Sequence, residues 1–286
     1  MRKYIFTCLL TCICATVVCA NEIRIAASDL LADFIEVPLQ SYSEEQGLQL
    51  SIEAIGSLPA MDRLRSDEID LAVIAVPEGA EVPREEFRVY PFAYDAAVVA
   101  VNGGNPIDEL SLARLGGIFG SNEEFNFNTW GELGLSGWGG RSIKPLAGPA
   151  SESIALELFR FTVFTGGAMR PSVAMVQSTE VEEMLANDAA SIGILSQLPN
   201  RRNVKILMIA AEDDAPAFGP TEDNVHYGDY PIRLPFYIVF NQRDAEKLAG
   251  VIRALLEDEV ADSLTENGLF PLPDTVRRQL MGDLDL

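Results

Sequence analysis

The chain has 286 residues, 48% of them hydrophobic, and carries 43 acidic against 21 basic side chains for a formal charge of −22. So negative a surface repels phosphate backbones and anionic lipid, which excludes nucleic acid as a partner. All four cysteines (Cys8, Cys12, Cys14 and Cys19) fall within the first 20 residues, so the rest of the chain can form no disulfide, thiol nucleophile or Cys-ligated metal site.

Residues 1–20 read as a secretory signal. Arg2 and Lys3 form the positive start, Tyr4 to Val18 the apolar stretch, and Val18-Cys19-Ala20 a small-residue ending that allows cleavage before Asn21. The apolar run is roughly 15 residues, short of the roughly 20 that span a bilayer. Lipidation at Cys19 is the alternative, although Val18 stands where lipoprotein signals carry a smaller residue. The expected location is therefore periplasmic or otherwise extracytoplasmic. Roughly 266 remaining residues exceed one ordinary core and predict two lobes. With Arg2 and Lys3 removed, Lys144, Lys205 and Lys247 are the only lysines left, and most of the acidic side chains read as a solvated surface.

Strands alternate with helices from Glu22 onward. Glu22 to Ala27 predicts a strand, and Ser28-Asp29 are expected to cap an amphipathic segment carrying Leu30, Leu31, Phe34, Ile35 and Leu39, bent or interrupted at Pro38. Leu48 to Ile55 alternates as a half-buried strand, Ala60 to Asp67 is a short helix, and Ile69 to Val76 is an apolar run suited to the middle of a parallel sheet. This order predicts an α/β lobe. A second lobe follows, with strands at 96–101, 174–177, 191–195 and 204–210 and a helix from Ser151 to Thr165. Thr179 and Glu182 have the spacing of a capping box, opening a helix that runs to Asn187. Ile232 to Phe240 is a strand that returns to the first lobe, and Asp244 to Glu266 a long terminal helix closed by Asn267-Gly268. The expected division is 21–96 with 234–286 as lobe 1 and 97–233 as lobe 2, the chain crossing near Asp95–Val98 and Arg233–Tyr237.

Chemistry-bearing patterns are few. Ser28, Ser57 and the pair Ser151 and Ser153 stand where helices begin, and exposed first-turn N–H groups there are suited to an anion; ordinary capping is the competing reading. His226 is the only histidine and reads as a solvated loop residue. No zinc, calcium or cofactor pattern is present, the glycines from Gly134 to Gly140 lack the Lys-Ser/Thr of a P-loop, and no acid/base constellation argues for an enzyme. Trp130 and Trp138 read as packing residues.

The order of landmarks resembles the phosphate-binding proteins of bacterial ABC transporters: IF-G at Ile118 to Gly120, Trp130 and Leu133, Ile143-x-Pro145, the serine-containing turn at 151–153, IGIL at 192–195, YPIRLPFYIVFN at 230–241 and NGLFPLP at 267–273. The resemblance spans nearly all of the chain beyond residue 20. It implies a type II periplasmic-binding-protein fold, α/β with two lobes joined by two crossing strands, and a phosphate or related oxyanion between them for delivery to an ABC permease by a monomer. It carries ligand roles onto Ser28 and Asp29 in the first loop, Gly56 and Ser57 in the second, and Ser151 and Ser153 in the third. The chain departs from the pattern at Leu30, which replaces a threonine, at Ala75-Val76, where the family has a polar pair, and at 148–153, where its arginine is missing and Glu152 stands among the serines. A diverged interaction or sensory module with the same fold is the alternative. Intact-mass analysis of exported protein should give the mass of the chain beginning at Asn21, with no alkylatable thiol; a retained leader or a diacylglyceryl group on Cys19 contradicts this.

Overall fold

The computed structural model describes residues 22–121, 125–138, 140–164 and 167–284; the signal segment, Gly139 and Thr165 lie outside them. In chain order the elements are β1 (Glu22–Ala27), α1 (Ala32–Gln46), β2 (Gln49–Ala54), α2 (Ser57–Arg65), β3 (Leu71–Ala75), β4 (Arg88–Ala96), β5 (Val98–Asn102), β6 (Glu109–Ser111), α3 (Leu112–Phe119), β7 (Lys144–Ala147) and α4 (Ala155–Val163). They continue as β8 (Ala174–Met175), α5 (Ser178–Asn187), β9 (Ser191–Leu195), β10 (Val204–Ile206), β11 (Met208–Ala210), β12 (Ala217–Phe218), α6 (Glu222–Tyr227), β13 (Arg233–Phe240), α7 (Ala245–Leu256), α8 (Asp258–Glu266), β14 (Phe270–Pro271) and α9 (Asp274–Asp283).

Two larger sheets organise these elements. One runs in the order β14-β4-β13-β3-β1-β2, the other β10-β5-β9-β7-β8. In the first, β1 lies parallel to β2 and β3, with Ile25 beside both Ile52 and Leu71. The apolar run at β3 is buried from Leu71 to Ile74, as a strand covered on both faces requires. In the second, β5 and β9 pair antiparallel. Gly193 of β9 sits close beneath α5: a Cβ there would stand 2.8 Å from Val181 Cγ1, so the glycine allows helix and strand to meet.

The chain passes between the sheets at Ala97. β4, which the sequence did not suggest, belongs to the first sheet and β5 to the second, so the expected strand 96–101 is divided there, with Ala96 ending β4 and Val98 opening β5. The return passage reaches β13, which pairs with β4 over its whole length. The Ala97 N–H donates to Ile232 O at 3.1 Å, and the buried Tyr230 hydroxyl donates to Ala97 O at 2.7 Å. Each passage thus supplies the hydrogen-bond partners of the other. The largest apolar core is continuous through this point, from Leu31 and Ile35 to Trp130 and Phe159.

Several local expectations are corrected. α1 runs through Pro38 unbroken. A proline at 38 frees the carbonyl of Phe34 four residues earlier, and here the Ser263 hydroxyl of α8 donates to Phe34 O at 2.7 Å. The Thr179–Glu182 capping box does not form: α5 starts at Ser178, whose N–H donates to Glu152 Oε2 at 2.8 Å, while Glu182 accepts from the Arg201 N–H. The long helix 244–266 is two helices, parted at Glu257, where ψ is 164°. Arg277 of α9 holds that break, donating to Leu256 O and to Asp258 Oδ1, each at 2.8 Å. The 204–210 strand is likewise divided at Leu207, which is buried, and its halves join different sheets.

Ser263→Ala should lower stability by about 1–2 kcal/mol, because it strands a carbonyl that the helix itself cannot satisfy. In a Pro38→Ala background, where the residue 38 N–H can reach Phe34 O, the same change should cost measurably less. Urea unfolding of the four proteins tests this; equal costs in both backgrounds contradict it.

Candidate functional site

The turn after β1 is built from Ser28 to Leu31. Ser28 is buried at 2% exposure; its N–H donates to Val73 O at 2.7 Å, its carbonyl accepts from Leu31 and Ala32, and its Oγ accepts from the Leu30 N–H at 3.4 Å. The hydroxyl therefore shapes the turn, and the N-cap position of α1 falls to Leu31, which makes no side-chain cap. That corrects the expected Ser28-Asp29 cap. Asp29 is exposed, and its Oδ1 comes within 4.0 Å of a Cβ built on Gly56, so the first and second loops are adjacent.

Gly56 holds φ at 81° and precedes Ser57, the first residue of α2. Ser57 Oγ accepts from the Ala75 N–H at 2.9 Å, tying the start of α2 to the end of β3 and leaving the hydroxyl proton free to donate. The N–H groups of Ser57 and Leu58 have no intrahelical acceptor, and Pro59, next in that turn, has none to place.

The third loop differs from expectation. α4 begins at Ala155 rather than Ser151, with Ile154 at its N-cap and no side-chain cap. Ser151 is exposed, Ser153 is half-buried beside Ile154, and Glu152 is drawn to the start of α5, where the Ser178 N–H holds its carboxyl below the usual carboxylate range.

These loops meet in a cleft of about 530 Å³ between the two sheets' layers. Leu30, Ser57, Leu58, Ala75 and Leu234 line it on one side and Ile154, Leu158 and Phe161 on the other. Ser57 is thus the one predicted site residue in its wall; Ser28 and Asp29 adjoin it through Leu30, Gly56 through Ser57, and Ser153 through Ile154, while Ser151 stands further back along the loop. A larger groove of about 750 Å³, between Gln197, Thr221 and Gly268, contains none of them.

Two features of the cleft were missed in the sequence. Its walls are apolar: Ile154, Leu158 and Phe161 form one stripe of α4 at helical spacing, while Ala155, Phe159 and Val163 fill the core. A helix apolar on two faces was the available signal. Leu58 is 81% and Phe161 63% exposed, both on the rim. The second feature is the lack of a lining cation. Glu157 lines the cleft and accepts from the Arg160 guanidinium at 2.9 Å, and among the described residues no arginine, lysine or histidine lines it. Asp95 stands opposite Leu234 in the β4–β13 pair, and directly opposed residues of antiparallel strands share a face, so Asp95 projects to the cleft side. Its Oδ1 accepts from the Ala96 N–H at 2.7 Å. Burial pushes its carboxyl up to about 7, only partly offset by that hydrogen bond.

His226 is no loop residue. It lies on α6 with its Nδ1 2.9 Å from the Tyr94 hydroxyl, and burial, then the charge of Arg233, lowers its pKa. The pair packs behind β4, on the face opposite Asp95. Among the described residues no group of three or more His, Cys, Asp and Glu is placed to hold a metal ion, and no helix is long and apolar enough to cross a membrane.

Asp95 sets a pH dependence. Folded, it keeps its proton to about pH 7; unfolded, it loses it near pH 3.9. Between those values the unfolded state binds fewer protons, so stability falls as pH rises. Asp95→Asn should flatten that slope and, above pH 7, exceed the parent by about 1–3 kcal/mol, below the full linkage value of about 4 because water reaches the half-buried group. Melting curves from pH 4 to 8 test this; parallel parent and variant curves contradict it.

Comparison with known proteins bears on the whole chain. A family model described as a PBP superfamily domain matches residues 19–259. The chain is 24% identical over 289 residues to the phosphate-binding protein PstS of Pseudomonas aeruginosa, covering 93% of this chain and 88% of that protein. Among solved structures it is similar to a possible phosphate binding protein from Planctomyces limnophilus, with a TM-score of 0.70 at 15% identity over 93% of this chain and 98% of that one. It is also similar to PstS from Borrelia burgdorferi, with a TM-score of 0.71 at 16% identity over 88% and 99%. The architecture is the two-lobe type II fold expected above, and the chain belongs to the PBP superfamily.

Proposed function

We propose that this protein is an exported solute receptor that binds phosphate or a related oxyanion in the cleft between its lobes and delivers it, as a monomer, to an ABC permease. The observation that carries this reading is the meeting of three loop ends in one cleft: the turn after β1, whose N–H groups at Leu30, Leu31 and Ala32 are taken up by Ser28, and the starts of α2 and α4, whose first-turn N–H groups lack an intrahelical partner. The named relatives support the ligand class, since the P. aeruginosa protein is called phosphate-binding. In this reading residues 21–96 with 234–286 form one lobe and 97–233 the other, a division that the two separate sheets and the β4–β13 pairing support, and rotation of one lobe against the other opens or closes the cleft.

Within this reading Ser57 donates to the anion, and Ser28, Asp29, Gly56, Ser151 and Ser153 shape the loops that present N–H groups. Binding is weak by the standard of a cation-lined site. A hydrogen bond to an ionised group contributes about 1.5–3 kcal/mol, and no guanidinium or ammonium lines the cleft to supply the strongest of them. The expected dissociation constant for phosphate is on the order of 10 µM or weaker, about −7 kcal/mol.

Calorimetric titration with phosphate, sulfate and molybdate tests the reading. Ser57→Ala should weaken binding about tenfold or more if its hydroxyl contacts the anion, in addition to the stability lost with its bond to Ala75. No heat with any oxyanion, alongside a Ser57→Ala protein that is only less stable, sinks the transport reading and leaves the interaction module.

A further inference from the structure

We infer that the cleft selects an oxyanion carrying one apolar substituent, of the organophosphonate or phosphate-monoester type, over bare inorganic phosphate. This rests on the proposed oxyanion-binding role and goes further by naming the substrate class. The cleft offers two unlike environments. On one part of its wall stand the Ser57 hydroxyl and the N–H groups of the α2 first turn. Most of the remaining surface is hydrocarbon from both lobes, Leu30 and Leu58 on one and Ile154, Leu158 and Phe161 on the other, with Glu157, paired to Arg160, the charged group among the described lining residues. The volume, about 530 Å³, is that of sites for small organic ligands and far exceeds what a five-atom anion fills.

Physical chemistry separates the two kinds of ligand. Inorganic phosphate presents oxygen in every direction and must keep each hydrated or hydrogen-bonded, so the side facing Leu158 and Phe161 would be desolvated without a partner. A substituted anion turns its oxygens to the N–H groups and its carbon to the leucines and the phenylalanine. Exposure supports this assignment of the rim. Leu58 and Phe161 leave 81% and 63% of their surface to water, and a ligand body lying between them covers area that the protein leaves bare.

The test is a calorimetric series on the whole mature protein: inorganic phosphate, then methyl-, ethyl-, butyl- and phenylphosphonate. Each added methylene should tighten binding about fourfold while the cleft has room, the equivalent of about 0.8 kcal/mol. Phe161→Ser and Leu58→Ser, both exposed enough to leave folding intact, should each pull the ratio of the phosphate to phenylphosphonate dissociation constants back toward one. Inorganic phosphate binding as tightly as or tighter than every phosphonate overturns the inference while leaving the oxyanion receptor standing, because the apolar walls then serve only to close on each other. A phosphonate preference that survives both rim substitutions overturns it too, since the apolar contact would lie elsewhere. Absence of binding by every compound removes the receptor reading itself, and the selectivity with it.

Discussion

The peptide at Ala97 is the point on which the rest of the molecule depends. Both strands that join the lobes meet there, and the residue's two backbone polar groups are satisfied from the other crossing, by Ile232 O and by the Tyr230 hydroxyl. A buried peptide left unpaired at this place would cost about 1–3 kcal/mol per group. Neither passage is therefore stable without its partner, although 133 residues separate Tyr230 from Ala97. The consequence for function is positional. β4 and β13 end side by side at the crossing, so Leu234, which lines the cleft, stands there opposite Asp95. This wall of the cleft is thus placed by the hinge, and a tilt of one lobe is felt first at Leu234.

Continuity of the core carries the same constraint outward. The largest apolar cluster runs from Ile35 and Leu39 of α1 through Tyr94 and Phe236 to Phe119, Trp130 and Phe159 of the other lobe. Smaller clusters fill the outer faces, under α2 in one lobe and under α5 in the other. A core that crosses the hinge opposes wide separation of the lobes, because opening would bare apolar surface at about 25 cal/mol per Å². Relative motion is then confined to the layer outside the crossing strands, where the cleft residues of α2 and α4 lie. Leu58 and Phe161, poorly covered where they stand, are the side chains such a motion would bring together or set against a ligand.

Much of the fold was legible because its strands are regular. The apolar run at β3, the alternation at β1 and the IGIL and YPIRLPFYIVF segments each declare a strand by period and boundary, and their order identified the architecture. What the sequence concealed depended on partners distant in the chain. Pro38 argues locally for a broken helix, and only Ser263, which satisfies the Phe34 carbonyl, makes the unbroken one stable. Thr179 and Glu182 have capping spacing, yet Glu152 reaches the same helix start first. The uniform helical pattern from 244 to 266 is divided by Arg277, whose guanidinium serves both sides of the break. At the site, the serines mark loops in the sequence, but Ser28 is occupied within its own turn, and the apolar stripe of α4 that faces the cleft is hard to tell from the core-facing residues of the same helix, since Leu158 belongs to both.

The site's electrostatics follow from the same geometry. A cleft lined by Glu157, with Asp29 next to the lining Leu30 and Asp95 opposite the lining Leu234, in a chain of net charge −22, is on its face hostile to an anion. Distance and state decide otherwise. Surface charges more than about 8 Å away are screened at physiological ionic strength, whereas N–H groups at a helix start act within hydrogen-bonding range and carry about half a positive charge. Asp95, close to the hinge, is pushed up to about 7 by burial, so below neutrality it adds no negative charge there. Glu157 is exposed on α4 and its charge is offset by Arg160, which donates to it at 2.9 Å. The cleft is therefore weakly receptive to a negative head beside Ser57 and the first turn of α2 and apolar over most of the rest of its wall, and a ligand that divides its polarity in the same way meets less opposition than one that is polar throughout.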